Sequence, residues 1–196
     1  MRRPLPFLLP ALLAALLAGC GSGDDSTAAG TPGGGQGSAA SAGPAAAHND
    51  ADVAFAQQMI PHHQQAVQMA TLAETRALAP QVKALAVQIR DAQQPEIDSM
   101  TTWLSAWGAP TAGPHAGHAM HGMLTEQQLA ELGNSRGAAF DQLFLTGMIA
   151  HHRGAVAMAQ QEQQAGQYQP AKELAGMIVS TQQAEISEME ALLQQL

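Results

Sequence analysis

The chain has 196 residues, of which 46% are hydrophobic, 4% aromatic and 12% charged. This length suits one domain, and so few aromatic residues make a β-sandwich or a β-barrel a poor expectation. Sixteen acidic residues against eight basic ones give a net charge of −8, which makes nucleic acid a poor partner. The eight His and ten Met, most of them in short clusters, favour soft-metal chemistry.

Residues 1–19 have the layout of a secretory signal peptide, with two arginines, a short apolar run and small residues before Cys20. The apolar run is too short and too broken by proline for a transmembrane helix. The ending Leu17-Ala18-Gly19-Cys20 resembles the bacterial lipobox, in which the cysteine receives a lipid when the leader is cleaved. We therefore expect lipidation at Cys20 and attachment to the extracytoplasmic face of the cell membrane. Loss of the two arginines would leave six basic residues and a net charge of −10.

Residues 20–47 are expected to form a flexible linker behind the lipidated cysteine. They consist mostly of Gly, Ser, Ala, Thr and Pro, so they have almost nothing to bury. If the leader stayed uncleaved, Cys20 would instead be a free thiol. The folded domain is expected to comprise residues 48–196.

The folded part is a duplication with an offset of 89 residues. The block MIPHHQQAVQMA, which begins at Met59, matches MIAHHRGAVAMA, which begins at Met148. A second block, QQPEIDSM from Gln93, matches QQAEISEM from Gln182. Apolar residues recur at three- and four-residue steps in both copies, which predicts helices. Because the loop inside each copy is brief, each copy is predicted to be an antiparallel helical hairpin.

Capping signals mark where the four long helices are expected to begin: Asn49 or Asp50, Pro80, Ser135 and Pro170. A capping box at residues 125–128 predicts a short extra helix that Gly133 ends. The connection at 108–124 is long enough to cross the length of a bundle. The predicted fold is all-α: a ferritin-like four-helix bundle built from two duplicated helical hairpins, with a long crossover and one short extra helix.

The paired histidines carry the candidate chemistry. Met59, His62 and His63 lie at i, i+3 and i+4 of one helix, which brings a thioether and two imidazoles onto one turn. Antiparallel pairing is expected to place Glu96 level with His62, with Met100 one turn further along. This mixture of ligands favours copper, as Cu(I), Cu(II) or both, and does not exclude zinc. The second copy repeats the set, with Glu185 level with His151: Met148, His151, His152, Glu185 and Met189.

A second cluster occupies the crossover in the run HAGHAMHGM. The run is too rich in Gly and Ala to pack, so we interpret it as a metal-capture tract. A solvated linker that happens to be rich in histidine is the alternative. The candidate ligands of this tract are His115, His118, Met120, His121 and Met123.

The paired histidines also have a structural interpretation. A buried imidazole without a partner costs about 1–3 kcal/mol, and Glu96 or Glu185 could satisfy it without any metal. Methionine fills hydrophobic cores readily, so a further set is assigned to the core: Met69, Met158 and Met177. The sequence leaves open whether the two copies form two sites or one shared site.

The doubled block Met-Ile-x-His-His-x-x-Ala-Val-x-Met-Ala resembles the family called domain of unknown function 305, and the match covers residues 48–196. The resemblance implies a ferritin-like four-helix bundle that is often secreted or lipid-anchored. It also implies copper binding or copper tolerance for some members. The family-motif positions in this chain are Met59, His62, His63, Met148, His151 and His152.

Three hypotheses of function follow. The first is a lipid-anchored extracytoplasmic protein that binds copper, as a monomer or a homo-oligomer, and buffers it or passes it to other copper-handling proteins. The second is a redox enzyme with a metal bound in the bundle, although the chain lacks the Glu-x-x-His motif of di-iron bundles. The third is a metal-free helical interaction module with structural His–Glu pairs.

Overall fold

The computed structural model describes residues 47–112 and 121–196. Within these ranges the chain contains helices and no strand, which confirms the all-α prediction. The five helices are α1 (Asp50–Arg76), α2 (Pro80–Trp107), α3 (Glu126–Asn134), α4 (Ala138–Ala165) and α5 (Gln169–Leu193). None of the described helices is long and apolar enough to span a membrane. Several predictions concern residues outside the described ranges, namely the leader, Cys20, the linker up to residue 46, His115, His118 and Met120.

Capping interactions explain where most of the helices begin. The Asn49 side chain accepts the N–H groups of the first turn of α1 at 2.9 and 3.1 Å. Thr125 caps α3 in the predicted box with Gln128. Pro80 and Pro170 lie in the first turns of α2 and α5, where a missing N–H is harmless.

The prediction that Ser135 caps a long helix was wrong. Ser135 instead ends α3, which runs one residue past Gly133, and its hydroxyl donates to the carbonyl of Leu132 at 2.8 Å. The true start of α4 follows Gly137, whose φ of +67° suits glycine. The N–H of Gly137 donates to the carbonyl of Arg76 at 2.9 Å, which fixes the start of α4 against the end of α1.

The two hairpins associate through α1 and α4. Within the hairpins, α1 packs along α2 and α4 along α5, whereas α2 and α5 meet over a smaller area. Asp52, in the first turn of α1, accepts N–H groups of the α4–α5 turn at 2.9 and 3.0 Å. Asp141, its counterpart in α4, accepts N–H groups of the α1–α2 turn at 2.8 and 3.0 Å. This reciprocal pair makes α1 and α4 antiparallel and relates the two copies by a pseudo-twofold axis.

Two apolar cores fill the ends of the bundle. The Phe55 core lies near the start of α1, and its larger members are Phe55, Ile60, Ile97, Leu104, Leu174 and Ile178. The Phe140 core lies near the start of α4, and its larger members are Phe140, Phe144, Leu85, Ile89, Leu132 and Met189. Helix α2 ends beside the Phe55 core and α4 begins beside the Phe140 core, so the connection between them spans the bundle. The predicted long crossover, followed by the short extra helix α3, is therefore confirmed.

We expect Asp141→Ala to lower the free energy of unfolding by about 2–3 kcal/mol, because two turn N–H groups lose a charged acceptor. Urea unfolding followed by circular dichroism measures this loss. The control is Asp98→Ala, an exposed carboxylate on α2, which should change stability by no more than about 0.5 kcal/mol. Equal effects of the two substitutions would contradict the capping role.

Glu162 breaks the symmetry between the two copies, since Ala73 occupies its place in the first. It is only 1% exposed and lies near Asp52. Burial, together with the Asp52 carboxylate, raises the pKa of Glu162 to about 8. Burial alone would raise the pKa of Asp52 too, but the neighbouring Glu162 carboxyl group and the hydrogen bonds from backbone N–H groups lower it. At neutral pH Glu162 is therefore protonated and Asp52 is ionised.

This proton makes stability depend on pH. The folded state keeps a proton on Glu162 that the unfolded chain releases above its ordinary pKa of 4.5, so the contribution of Glu162 to wild-type stability falls as pH rises from 4.5 to about 8. Glu162→Gln removes this contribution, and its stability relative to wild type should rise by up to about 1.4 kcal/mol per pH unit. Urea unfolding at pH 5, 6.5 and 8 measures the difference. The control is Glu173→Gln at an exposed position, whose free energy of unfolding should follow the wild type at all three pH values. If the free energy of Glu162→Gln also followed the wild type, Glu162 would not carry the raised pKa.

Candidate metal centre

Four buried histidines form a layer across the middle of the bundle. On α1 and on α4 they lie between the residues that enter the Phe55 core and those that enter the Phe140 core. All four side chains are 0% exposed. We call this set the histidine layer: His62, His63, His151 and His152.

The two copies contribute to one layer. The rings of His62 and His151 meet between α1 and α4, with their centroids 3.7 Å apart and their planes tilted by 41°. This contact follows from the antiparallel pairing of α1 and α4, which places the equivalent turns of the two copies opposite each other. The structure thus brings together the histidine pairs that the sequence analysis singled out.

The second histidine of each pair binds a carboxylate of its own hairpin. Nε2 of His63 lies 2.7 Å from Oε2 of Glu96, and Nε2 of His152 lies 2.8 Å from Oε2 of Glu185. The sequence analysis placed these glutamates level with His62 and His151, and in the structure they contact the adjacent rings of His63 and His152. Successive helical residues are rotated by about 100°, so the first histidine faces the other hairpin and the second faces its own.

The crossover contacts the layer through its backbone. Nε2 of His62 donates to the carbonyl oxygen of His121 at 3.2 Å. This approach requires glycine at position 154, because a Cβ there would overlap that same carbonyl. The His121 side chain itself is exposed.

Gln65 fixes the crossover to the bundle. Its side-chain amide accepts the N–H of Leu124 at 2.7 Å and donates to the Leu124 carbonyl at 3.0 Å. Gln65 and Gly154 occupy the same place in the two copies. The first copy therefore binds the crossover through the Gln65 side chain, while Gly154 of the second copy leaves space for the crossover backbone. The sequence analysis missed both residues, although their difference within a matching block was a visible signal.

Burial keeps the facing imidazoles neutral. Burial, followed by the neighbouring His63, lowers the pKa of His62 to about 3. Burial, followed by the neighbouring His62, holds the pKa of His151 well below its ordinary value. Neutral imidazole is the form that binds a metal ion, so neither ring has to release a proton first.

Several ring nitrogens of the layer lack a hydrogen-bond partner among the described residues. They are Nδ1 of His62, His63 and His152, and both nitrogens of His151. A buried nitrogen lone pair without a partner is available to a metal ion. Within residues 47–112 and 121–196, however, no three His, Cys, Asp or Glu side chains are already arranged as a metal site.

The predicted thioether ligands lie on either side of the layer. Met59 and Met100 are fully buried in the Phe55 core, and Met148 and Met189 are fully buried in the Phe140 core. Each pair is thus associated with the apolar packing next to the histidines. Their role as ligands stays a prediction.

The remaining methionines have different environments. Met69 is fully buried and Met158 is half-buried, as expected for core residues. Met177 is 57% exposed, so its assignment to the core was wrong, because α5 turns that position to solvent. Met123, at the described end of the metal-capture tract, is half-buried and lines a cavity of about 290 Å³ beside α3 and α4.

Residues 52–193 match the protein family described as Domain of unknown function (DUF305). The chain belongs to this family. The match spans both copies of the histidine block, and it confirms the resemblance that the block indicates. No match was found among curated proteins.

Solved structures of two DUF305 proteins and of a protein called CopM share the fold. A DUF305 protein from Streptomyces coelicolor, inferred to be secreted, is 33% identical with a TM-score of 0.70, over 74% of this chain and 93% of that chain. A DUF305 fragment from Deinococcus radiodurans is 35% identical with a TM-score of 0.68, and the match covers 76% of this chain and 98% of the fragment. CopM in its Cu(I)-bound form is 33% identical with a TM-score of 0.63, over 74% and 96%. CopM has also been solved in Cu(II)-bound and Ag-bound forms.

We expect Gly154→Ala to displace the crossover from the layer and to cost about 1–3 kcal/mol, because the new Cβ would overlap the His121 carbonyl. Gly133→Ala is the matched control, since a Cβ at that position in α3 meets nothing within 4 Å. The control should gain up to about 1 kcal/mol from helix propensity. Urea unfolding compares the two, and a similar gain in both would show that the close approach is not required.

Proposed function

We propose that this protein binds copper in its histidine layer and buffers or transfers the ion outside the cytoplasm. The observation that carries the proposal is the contact of His62 with His151 at the centre of the bundle, where buried, neutral rings have nitrogens without a hydrogen-bond partner among the described residues. Copper is the cargo of such a protein rather than a resident cofactor.

The chemistry of the surroundings favours copper over harder ions. Imidazole nitrogen binds both copper oxidation states, and thioether sulfur prefers Cu(I). Four fully buried methionines lie next to the layer, two in each core. Mg²⁺ and Ca²⁺ require several oxygen ligands, which the layer lacks. Zinc remains an acceptable ion for imidazole and carboxylate ligands.

Similarity to CopM supports the same assignment. CopM is 33% identical over 74% of this chain and has been solved with Cu(I), Cu(II) and Ag bound. Ag⁺ is a soft cation like Cu(I), so a site that accepts both suits soft ligands. We extend copper binding to this chain on the strength of its own buried histidines.

We further propose that the protein acts at the outer face of the cell membrane. The lipobox-like ending at Cys20 would supply a lipid anchor, and a linker of Gly, Ser and Ala would let the bundle move above the surface. The relation to a DUF305 protein inferred to be secreted is consistent with an extracytoplasmic location. Partners in this role are other copper-handling proteins or a second copy of the chain.

An anaerobic Cu(I) titration against a chromogenic chelator tests the copper site. The metal-free chain, purified in detergent, should bind Cu(I), and the double variant His62→Ala/His151→Ala should lose at least tenfold in affinity. His48→Ala is the control, because this ring stacks on Trp107 away from the layer, with centroids 4.5 Å apart, and should leave binding unchanged. Unchanged binding by the double variant would overturn the site, and loss of binding in a His115→Ala/His118→Ala/His121→Ala variant would then move it to the tract.

A metal-free interaction module is the second candidate. His63 and His152 already have carboxylate partners, so these two rings need no metal to be satisfied. A ligand that binds only the folded state must raise its stability. An unchanged melting temperature on addition of Cu(I), Cu(II) or Zn(II) would therefore favour this module over the copper protein.

A further inference from the structure

The two glutamates of the layer make the same contact in both copies. In each hairpin, Nε2 of the second histidine meets Oε2 of a glutamate that lies 33 residues further along the chain. The histidines are 0% exposed, whereas Glu96 and Glu185 are 19% and 13% exposed. The carboxylates thus lie at the edge of the bundle and the rings lie inside it.

This contact determines which ring nitrogen carries the proton. An ionised carboxylate can only accept a hydrogen bond, so Nε2 of His63 and of His152 must donate. In the neutral ring the other nitrogen, Nδ1, then carries the lone pair. Nδ1 of both rings is buried without a hydrogen-bond partner among the described residues.

We propose that Glu96 and Glu185 are positioning residues rather than copper ligands. They hold His63 and His152 in the Nε2–H tautomer, so that Nδ1 is the atom offered to the ion. A metal-bound histidine commonly donates its second N–H to a carboxylate or a carbonyl, which orients the ring and makes the ligating nitrogen more basic. This inference rests on the proposed copper site and revises the expectation that both glutamates bind the metal directly.

The crossover holds a third ring, that of His62, in the same tautomer. The His121 carbonyl accepts from Nε2 of His62, and Nδ1 of His62 is likewise without a partner among the described residues. Three of the four rings therefore have Nε2 held by an acceptor and Nδ1 free. The fourth, His151, has no hydrogen-bond partner at either nitrogen among the described residues, so either nitrogen is open to the ion.

The tautomer is tested first, in the metal-free full chain. Histidine ¹⁵N chemical shifts of the wild type should show the Nε2–H form for His63 and His152. Glu96→Ala and Glu185→Ala remove the acceptor and should shift these signals, whereas Glu96→Gln and Glu185→Gln keep an acceptor oxygen and should retain them. A wild-type Nδ1–H tautomer would overturn the positioning role, whether or not the chain binds copper.

Affinity for Cu(I) and Ag(I), measured by chelator competition, separates positioning from ligation. The alanine variants should bind 10- to 100-fold more weakly than wild type, and the glutamine variants should recover most of the loss. Glu190→Ala is the control, because this exposed carboxylate on α5 contacts Arg153 outside the layer. Glutamine variants as weak as the alanine variants would indicate direct ligation, and alanine variants equal to Glu190→Ala would indicate no role, so either result overturns the proposal. A wild type that binds neither ion refutes the proposed function itself.

Discussion

The central constraint on this fold is the burial of four imidazoles between two apolar cores. A buried ring without a partner costs about 1–3 kcal/mol, and the elements around the layer supply hydrogen-bond acceptors to three of the four rings. Helix α2 supplies Glu96, α5 supplies Glu185, and the crossover supplies the carbonyl of His121. Each outer element is therefore tied to the centre by a polar contact whose loss leaves a buried nitrogen unsatisfied. These hydrogen bonds fix the positions of α2, α5 and the crossover around α1 and α4. Apolar packing alone is less directional and would fix these positions less precisely.

The ends of the bundle determine which rings meet in that layer. Asp52 and Asp141 each bind the turn of the other hairpin, so α1 and α4 are fixed against sliding at both ends. A shift by one helical turn, about 5.4 Å, would break both contacts and would separate His62 from His151. The contact at the centre is therefore a consequence of two interactions near the ends. Duplication of one hairpin is enough to produce both interactions, because each hairpin contains both the aspartate and the turn that the other aspartate binds.

The fold could be predicted because its signals are local or periodic. The 89-residue repeat, the Thr125 capping box and the brief hairpin loops led to the observed topology. The site was predicted less completely, because helical spacing identifies the histidine pairs but not which helix each ring faces, and so it left open which ring of each pair the glutamate contacts. Gln65 was missed because its partner is the backbone of Leu124, and the Gln65/Gly154 difference between the copies does not by itself identify that partner. Ser135 was misassigned because a small polar residue suits either end of a helix.

The crossover is the element that makes the two copies unequal. A duplicated bundle needs one connection between its hairpins, and that connection can contact the layer on one side only. The carbonyl of His121 accepts a hydrogen bond from His62, while the equivalent ring, His151, has no such contact with the described part of the crossover. The copies differ where this asymmetry requires it. Gln65 of the first copy hydrogen-bonds the crossover backbone, and Gly154 of the second copy lacks the Cβ that would overlap it. Two histidines in equivalent positions of the repeat thus differ in their hydrogen bonds, and a metal ion in the layer would meet one ring oriented by the crossover and one without a hydrogen-bond partner among the described residues.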